Sequence, residues 1–304
     1  MPSTTPTTSV LKPGNTAVIT GGASGIGLAL TKKCVAAGMK VLVVDYNPAT
    51  LRKLSEDKEL GGGGGAVSTV EADVSKVEDW KRIQGTVEKD FGGQINLLAL
   101  NAGMQQKTSF DDADPAGFRA IMETNLFGVM NGITTLLPLV KAGAKKQQPG
   151  PSGETTTTTT TAAIVITGSK QGITNPPGNP AYNASKAAVK ALAEHLSFDL
   201  ARDAPSVAVH LLVPGWTWTG LTGAAGGGQK NEGAWLPEQV VDFLLSKMDE
   251  GQFWVLCPDN EVTEAMDRKR MLWSAGDAVN GRKPLSRWRE EYKGEVAEWM
   301  AKEH

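Results

Sequence analysis

Short apolar runs alternate along the chain with longer stretches in which apolar residues recur at helical spacing. Residues 16–20, 41–44, 66–70, 95–100, 163–166, 207–213 and 253–256 read as strands. Their hydrophobicity is continuous rather than alternating, as a strand covered on both faces requires. Between them, residues 26–37, 49–60, 77–91, 118–140, 182–201 and 237–247 carry the helical period. Strand and helix in alternation predict an α/β fold, a doubly wound parallel sheet of about seven strands with helices on both faces.

Two insertions break the rhythm. Residues 61–65 are all glycine, and residues 141–161 run through Gln, Pro and Gly into unbroken threonine. Neither can bury enough apolar surface to offset the entropy of ordering it, so both are expected as mobile surface loops. Residues 1–14 are expected as a disordered arm, and 15–258 as one domain. Beyond it, Val262, Met266, Met271, Leu272 and Trp273 suggest a helix, and Tyr292, Val296 and Trp299 another. Residues 259–304 thus form a helical extension, packed on the same domain or on a neighbouring subunit.

Composition narrows the function classes. A net charge of −2 provides no field for nucleic acid or an anionic membrane surface. The two cysteines, Cys34 and Cys257, are no disulfide framework, which suits a reducing compartment. No unbroken apolar run reaches the roughly 20 residues of a membrane helix. No basic residue precedes Lys12, and Lys302-Glu303-His304 is no peroxisomal address. The expectation is a cytoplasmic protein acting on a small molecule.

The first strand runs directly into Thr20-Gly21-Gly22-Ala23-Ser24-Gly25-Ile26-Gly27, which opens the first helix. In that setting a glycine turn lets the backbone approach a pyrophosphate, and the helix N-terminus offers free N–H groups and a positive dipole end. Gly21 makes the turn, Gly25 allows close approach, and Gly27 lets helix and strand pack. Asp45 closes the second strand, where a carboxylate accepts from an adenosine ribose diol and repels a 2′-phosphate. With no Arg or Lys in the glycine turn, the expected cofactor is NAD. Asp45 could instead cap the next helix.

Tyr182-Asn183-Ala184-Ser185-Lys186 places a phenol and an ammonium one helical turn apart. A free phenol, with a pKa near 10, is a poor base at neutral pH, and a neighbouring cation favours its phenolate. Ser169 stands just past the fifth strand, at the carboxyl end where ligands bind in open α/β sheets. Its hydroxyl could hold and polarise a carbonyl oxygen.

In order and spacing these motifs resemble the short-chain dehydrogenase/reductase superfamily, of the single-domain TGxxxGxG type, over roughly residues 15–258. The resemblance implies a Rossmann-like fold and an NAD(P)-dependent exchange of alcohol and ketone or aldehyde by hydride transfer. It implies that Gly21, Ser24, Gly25, Ile26 and Gly27 hold the pyrophosphate. Asp73 and Val74 would contact adenine, with Asn101, Ala102 and Gly103 beside the adenosine ribose. Pro214, Gly215, Thr217 and Thr219 would contact the nicotinamide carboxamide. Asn125, Ser169, Tyr182 and Lys186 form the implied catalytic tetrad, Asn125 holding a water that links the lysine to solvent. Lys186 would also reach the nicotinamide ribose. Such proteins usually pair as homodimers or homotetramers through the helices carrying Asn125 and Tyr182, and Ala187, Ala188, Ala191 and Leu192 give the latter a close-packing face.

Several features depart from the family pattern. Leu100 precedes Asn101, Trp216 and Trp218 are bulky after Pro214-Gly215, and the loop at 220–233 is short and glycine-rich. Gln171, Trp216 and Trp218 are candidate pocket walls for an apolar or aromatic substrate, though both Trp could equally pack the core. A hydrolase lacks support, because His195 and His210 lie on a helix and a strand and no G-x-S-x-G elbow occurs. His210 reads as a core residue. No metal-ligand spacing appears. An extended-type sugar epimerase would usually show another glycine spacing and a larger C-terminal domain. A non-catalytic NAD-binding or scaffold protein is the rival from another class.

Overall fold

The computed structural model describes residues 10–57, 60, 65–111, 114–144, 161–223 and 229–302. The glycine run up to residue 64 and the insertion at 145–160 lie outside these. Seven strands form one parallel sheet in the order β3-β2-β1-β4-β5-β6-β7. They are β1 (Thr16–Thr20), β2 (Lys40–Asp45), β3 (Val67–Glu71), β4 (Leu97–Leu100), β5 (Ala162–Thr167), β6 (Val207–Val213) and β7 (Trp254–Leu256). The order reverses between β1 and β4, which opens a crevice at their carboxyl ends.

Side chains alternate across the sheet, and each set finds its own core. Val18, Leu42, Leu98 and Ile164 face one layer, formed by α3 (Val77–Phe91), α5 (Gly128–Gly143) and α7 (Pro180–Asp203). Ala17, Ile19, Val41, Val43 and Leu97 face the other, formed by α1 (Gly25–Ala36), α2 (Pro48–Glu56) and α8 (Pro237–Asp249). Burial on both faces is why these strands read as unbroken apolar runs. β3 differs: it is an edge strand with half-exposed residues, which accounts for Ser68 and Thr69. His210 is buried in β6 with Nδ1 2.7 Å from the Gln252 carbonyl, and burial holds its pKa below the ordinary value. Burial also pushes both thiols, Cys34 and Cys257, up to about 12.

Three expectations need correction. The arm does not extend to residue 14. Val10 is fully buried, its carbonyl accepts from Asn15 Nδ2 (2.8 Å), and the Gly14 N–H donates to Gly38 (3.1 Å). Residues 141–143 belong to the last turn of α5 rather than to the loop. The helix expected at 118–140 is composite. It joins α4 (Pro115–Met122), a π-helical turn (Glu123–Phe127) and α5. This tract, Pro115–Gly143, is long and apolar enough by length and composition to cross a membrane. Here Leu136 and Val140 are buried in the core.

After β7 come α9 (Glu264–Val279) and α10 (Lys293–Ala301), close to the two helices expected. Trp273 is fully buried between them, its ring edge against Trp299 and its Nε1 donating to Ser286 Oγ (2.8 Å). α9 packs on α6 (Lys170–Thr174), so the extension docks on its own domain.

Candidate active site

Gly21 and Gly25 have φ of +62° and +51°, which L side chains rarely adopt. At Gly27 the constraint is contact, since a Cβ would sit 2.1 Å from the Gly21 carbonyl. Ser24 is the extended N-cap of α1, Ile26 lies in its first turn, and no acidic residue opposes the positive end of the helix. Thr20 fastens this turn to β4. Its Oγ1 accepts the N–H groups of Asn101 (2.9 Å) and Ala102 (3.0 Å), and Asn101 Nδ2 donates to the Thr20 carbonyl (3.2 Å).

Asp45 is buried at the end of β2. Oδ2 accepts the Ala23 N–H (3.2 Å) and Oδ1 accepts the Asn47 N–H (3.1 Å), so one lone pair on each oxygen remains for a diol. The cap of α2 is Asn47, whose side chain accepts from Ala49 and Thr50. That removes the capping alternative for Asp45. The Ala72 N–H donates to the Asp45 carbonyl (2.9 Å), which places exposed Asp73 and buried Val74 beside it.

Asn125 is fully buried in the π-helical turn. Its Oδ1 accepts the Met104 N–H (2.8 Å), and its Nδ2 donates to the Met104 carbonyl (3.0 Å) and to Ser185 Oγ (3.1 Å). A Cβ on Gly103 would lie 3.2 Å from Asn125 Oδ1 and 3.6 Å from Lys186 Nζ. Strand end, π turn and α7 therefore converge on Lys186. Its Nζ donates to the Thr167 carbonyl (2.7 Å) and lies 5.8 Å from the centre of the Tyr182 ring.

Ser169 caps α6, accepting the Gln171 N–H on Oγ (3.1 Å), and its hydroxyl is near enough to Tyr182 to draw the phenol's pKa downward. Gly172 sets this approach, because a Cβ there would lie 2.6 Å from the Lys186 carbonyl carbon. Burial dominates both titrating groups. It pushes the Tyr182 phenol up, against a downward pull from Ser169, and pushes Lys186 down to about 8. The expected lowering of the phenol by its lysine is not seen in the free chain, because desolvation penalises both charged forms.

The segment at 214–219 closes the other side. Thr217 is buried and donates to the Gly215 carbonyl (3.0 Å), while Thr219 faces Gly25, whose Cβ would lie 3.2 Å from Thr219 Cγ2. Trp216 is 41% exposed and Trp218 half-buried, so neither is a core residue. The Trp235 main chain pairs with both, accepting from Trp218 and donating to Trp216 (2.8 Å each). Gln171 is half-buried in α6. Thr20, read only as the head of the glycine motif, proves to be its fastening to β4. Thr167, Ser185 and Gly172 are contributors to which motif reading gave no role. Their only signal was adjacency to the motifs.

The short chain dehydrogenase family model matches residues 15–229. The chain belongs to that family. It is thereby an oxidoreductase of a nicotinamide-dependent group. Over 208 residues it is 28% identical to the NADP-dependent (R)-specific alcohol dehydrogenase of Lentilactobacillus kefiri, covering 68% of this chain and 75% of that one. It is 31% identical over 211 residues to 3beta-hydroxysteroid dehydrogenase 2 of Eggerthella lenta, covering 68% and 73%. The crystal structure of a Burkholderia phymatum short chain dehydrogenase/reductase in complex with NAD superposes with a TM-score of 0.75, covering 90% of this chain and 97% of that one. At 24% identity that likeness shows the fold.

Proposed function

We propose that the chain is an NAD(H)-preferring dehydrogenase interconverting an alcohol and a ketone or aldehyde, with Tyr182 as the acid/base. The observation that carries this reading is the buried junction in which Ser169 meets Tyr182 while Asn125 and Lys186 close around Gly103. The cradle fits a dinucleotide. The turn from Gly21 to Gly27 would hold the pyrophosphate on its N–H groups, and Asp45 the adenosine diol. Asp73, Val74, Asn101, Ala102 and Gly103 would line the adenosine side, and Pro214, Gly215, Thr217 and Thr219 the nicotinamide end. The bound nicotinamide supplies or takes the hydride.

In the oxidative direction Ser169 holds the substrate oxygen and the Tyr182 phenolate takes its hydroxyl proton. The Lys186 ammonium stabilises that phenolate. Run in reverse, the phenol returns the proton to the carbonyl oxygen. Gln171, Trp216 and Trp218 would wall the substrate pocket and favour an apolar or ring-bearing alcohol. A homodimer or homotetramer belongs to the same reading. α7 leaves Ala187 and Ala191 exposed, and Phe198 is 74% exposed on the same helix.

The experiment is an initial-rate panel with NAD and NADP against cyclohexanol, 3-hydroxybutyrate and a 3β-hydroxysteroid, each with its carbonyl counterpart. Turnover with NAD ahead of NADP is expected. Equal or better use of NADP would sink the cofactor preference. NADH binding with no turnover of any compound would leave a non-catalytic binder.

A further inference from the structure

Three adjacent strands, β5, β6 and β7, end at one buried ionic cluster outside the catalytic junction. Lys170, the residue after Ser169, extends its Nζ to Asp259 Oδ2 (3.2 Å) and lies 3.0 Å from Asp267 Oδ2. The second contact is an ion pair without hydrogen-bond alignment. Their side chains are 15%, 7% and 1% exposed. Asp259 also accepts the Trp216 N–H on Oδ2 (3.1 Å), and the N–H groups of Glu261 (2.9 Å) and Val262 (2.7 Å) on Oδ1. Arg270 Nη1 balances Asp267 from its other side (3.3 Å).

The backbone at Gly215 lies flush against this cluster. A Cβ there would be 2.8 Å from Asp259 Oδ2, 2.9 Å from the Pro258 carbonyl and 3.0 Å from Lys170 Nζ. One carboxylate from the C-terminal extension therefore ties the Ser169 loop to the 214–219 segment. Buried ion pairs are poor stabilisers compared with apolar packing, but removing one partner strands the others, so such a cluster holds geometry more than it adds stability.

We propose that Lys170, clamped between Asp259 and Asp267, is a positioning residue for hydride transfer. Resting on the dehydrogenase reading above, the inference makes the extension part of the machinery. Ser169 fixes the substrate oxygen and the 214–219 segment fixes the nicotinamide end. The clamp sets the distance between them. A displacement of about 1 Å between such groups costs on the order of a hundredfold in rate.

The test follows NADH oxidation with the panel carbonyl of highest turnover, using NADH and NADH deuterated at the reacting carbon. Lys170→Gln strands two buried carboxylates and should lower the thermal midpoint, yet its folded fraction at assay temperature should bind NADH within about threefold of wild type while kcat per folded molecule falls about tenfold or more. The isotope effect on kcat should rise as transfer becomes slower than product release. Lys170→Arg should restore both. Unchanged kcat in folded Lys170→Gln overturns the proposal. So does a loss that merely tracks folded fraction or NADH affinity with an unchanged isotope effect. If Lys170→Gln does not fold, Asp259→Asn decides by the same two readouts. A wild type that binds no NADH and reduces nothing would sink the dehydrogenase reading itself. An active wild type with an equally active Lys170→Gln sinks only the clamp.

Discussion

Burial displaces the pKa of Tyr182 and of Lys186 in opposite directions, because each loses its charged form to the same lack of water. For Lys186 the value falls from 10.5 to about 8. Between those values this lysine is protonated in the unfolded chain and neutral in the folded one, so its contribution to stability rises with pH across that window. The full difference corresponds to about 3 kcal/mol. Tyr182, raised above 10, works the other way only beyond that pH. Cys34 and Cys257, raised from 9.0 to about 12, work against stability in the upper part of the same window, so the test is a difference between proteins: from pH 8 to 10 the thermal midpoint of Lys186→Met should fall behind that of wild type, and parallel curves for the two would refute the assignment. At Asp45 the prediction concerns the cofactor. Its buried carboxylate is aligned by the Ala23 and Asn47 N–H groups, so Asp45→Ala should narrow the ratio of kcat/KM for NAD over NADP. An unaltered ratio would place the selectivity elsewhere.

At the scale of elements, the sheet was legible because six of its strands bury both faces, and that burial writes an unbroken apolar run. β3 at the edge was read correctly from a weaker signal. The motifs on strand ends were legible because each lies within a few consecutive residues. The π-helical turn at Asn125 was not, since a single wide turn leaves the apolar period of α4 and α5 nearly intact. The clamp of Lys170, Asp259 and Asp267 was invisible for another reason. Lys170 stands 89 residues before Asp259, and only the parallel order β5-β6-β7 brings it to the two aspartates. Nor does a sequence say that α6 touches α7 through Gly172. Gly172→Ala must separate those helices, since its Cβ would meet the Lys186 carbonyl oxygen at 2.7 Å. Overpacking of this kind costs about 1–3 kcal/mol. The expected result is a lower thermal midpoint and a larger fall in kcat than in NADH affinity, read by calorimetry and steady-state kinetics. A wild-type kcat would mean that the Ser169–Tyr182 approach does not depend on that contact.

For the whole molecule, the exposed stripe on α7 predicts self-association. Light scattering at micromolar concentration should give a dimer or tetramer, and Phe198→Glu should shift it toward monomer; a monomeric wild type would contradict this. Within the chain the site draws on the ends of nearly every strand, and all of it converges on one phenol. Tyr182→Phe keeps the ring and removes only the hydroxyl. NAD affinity and kcat should be measured on the same folded sample. The result predicted is near-normal NAD binding with kcat reduced on the order of 10²–10⁴-fold, the usual cost of losing general acid/base catalysis. Near-normal turnover by that variant would contradict the assignment of the proton to Tyr182.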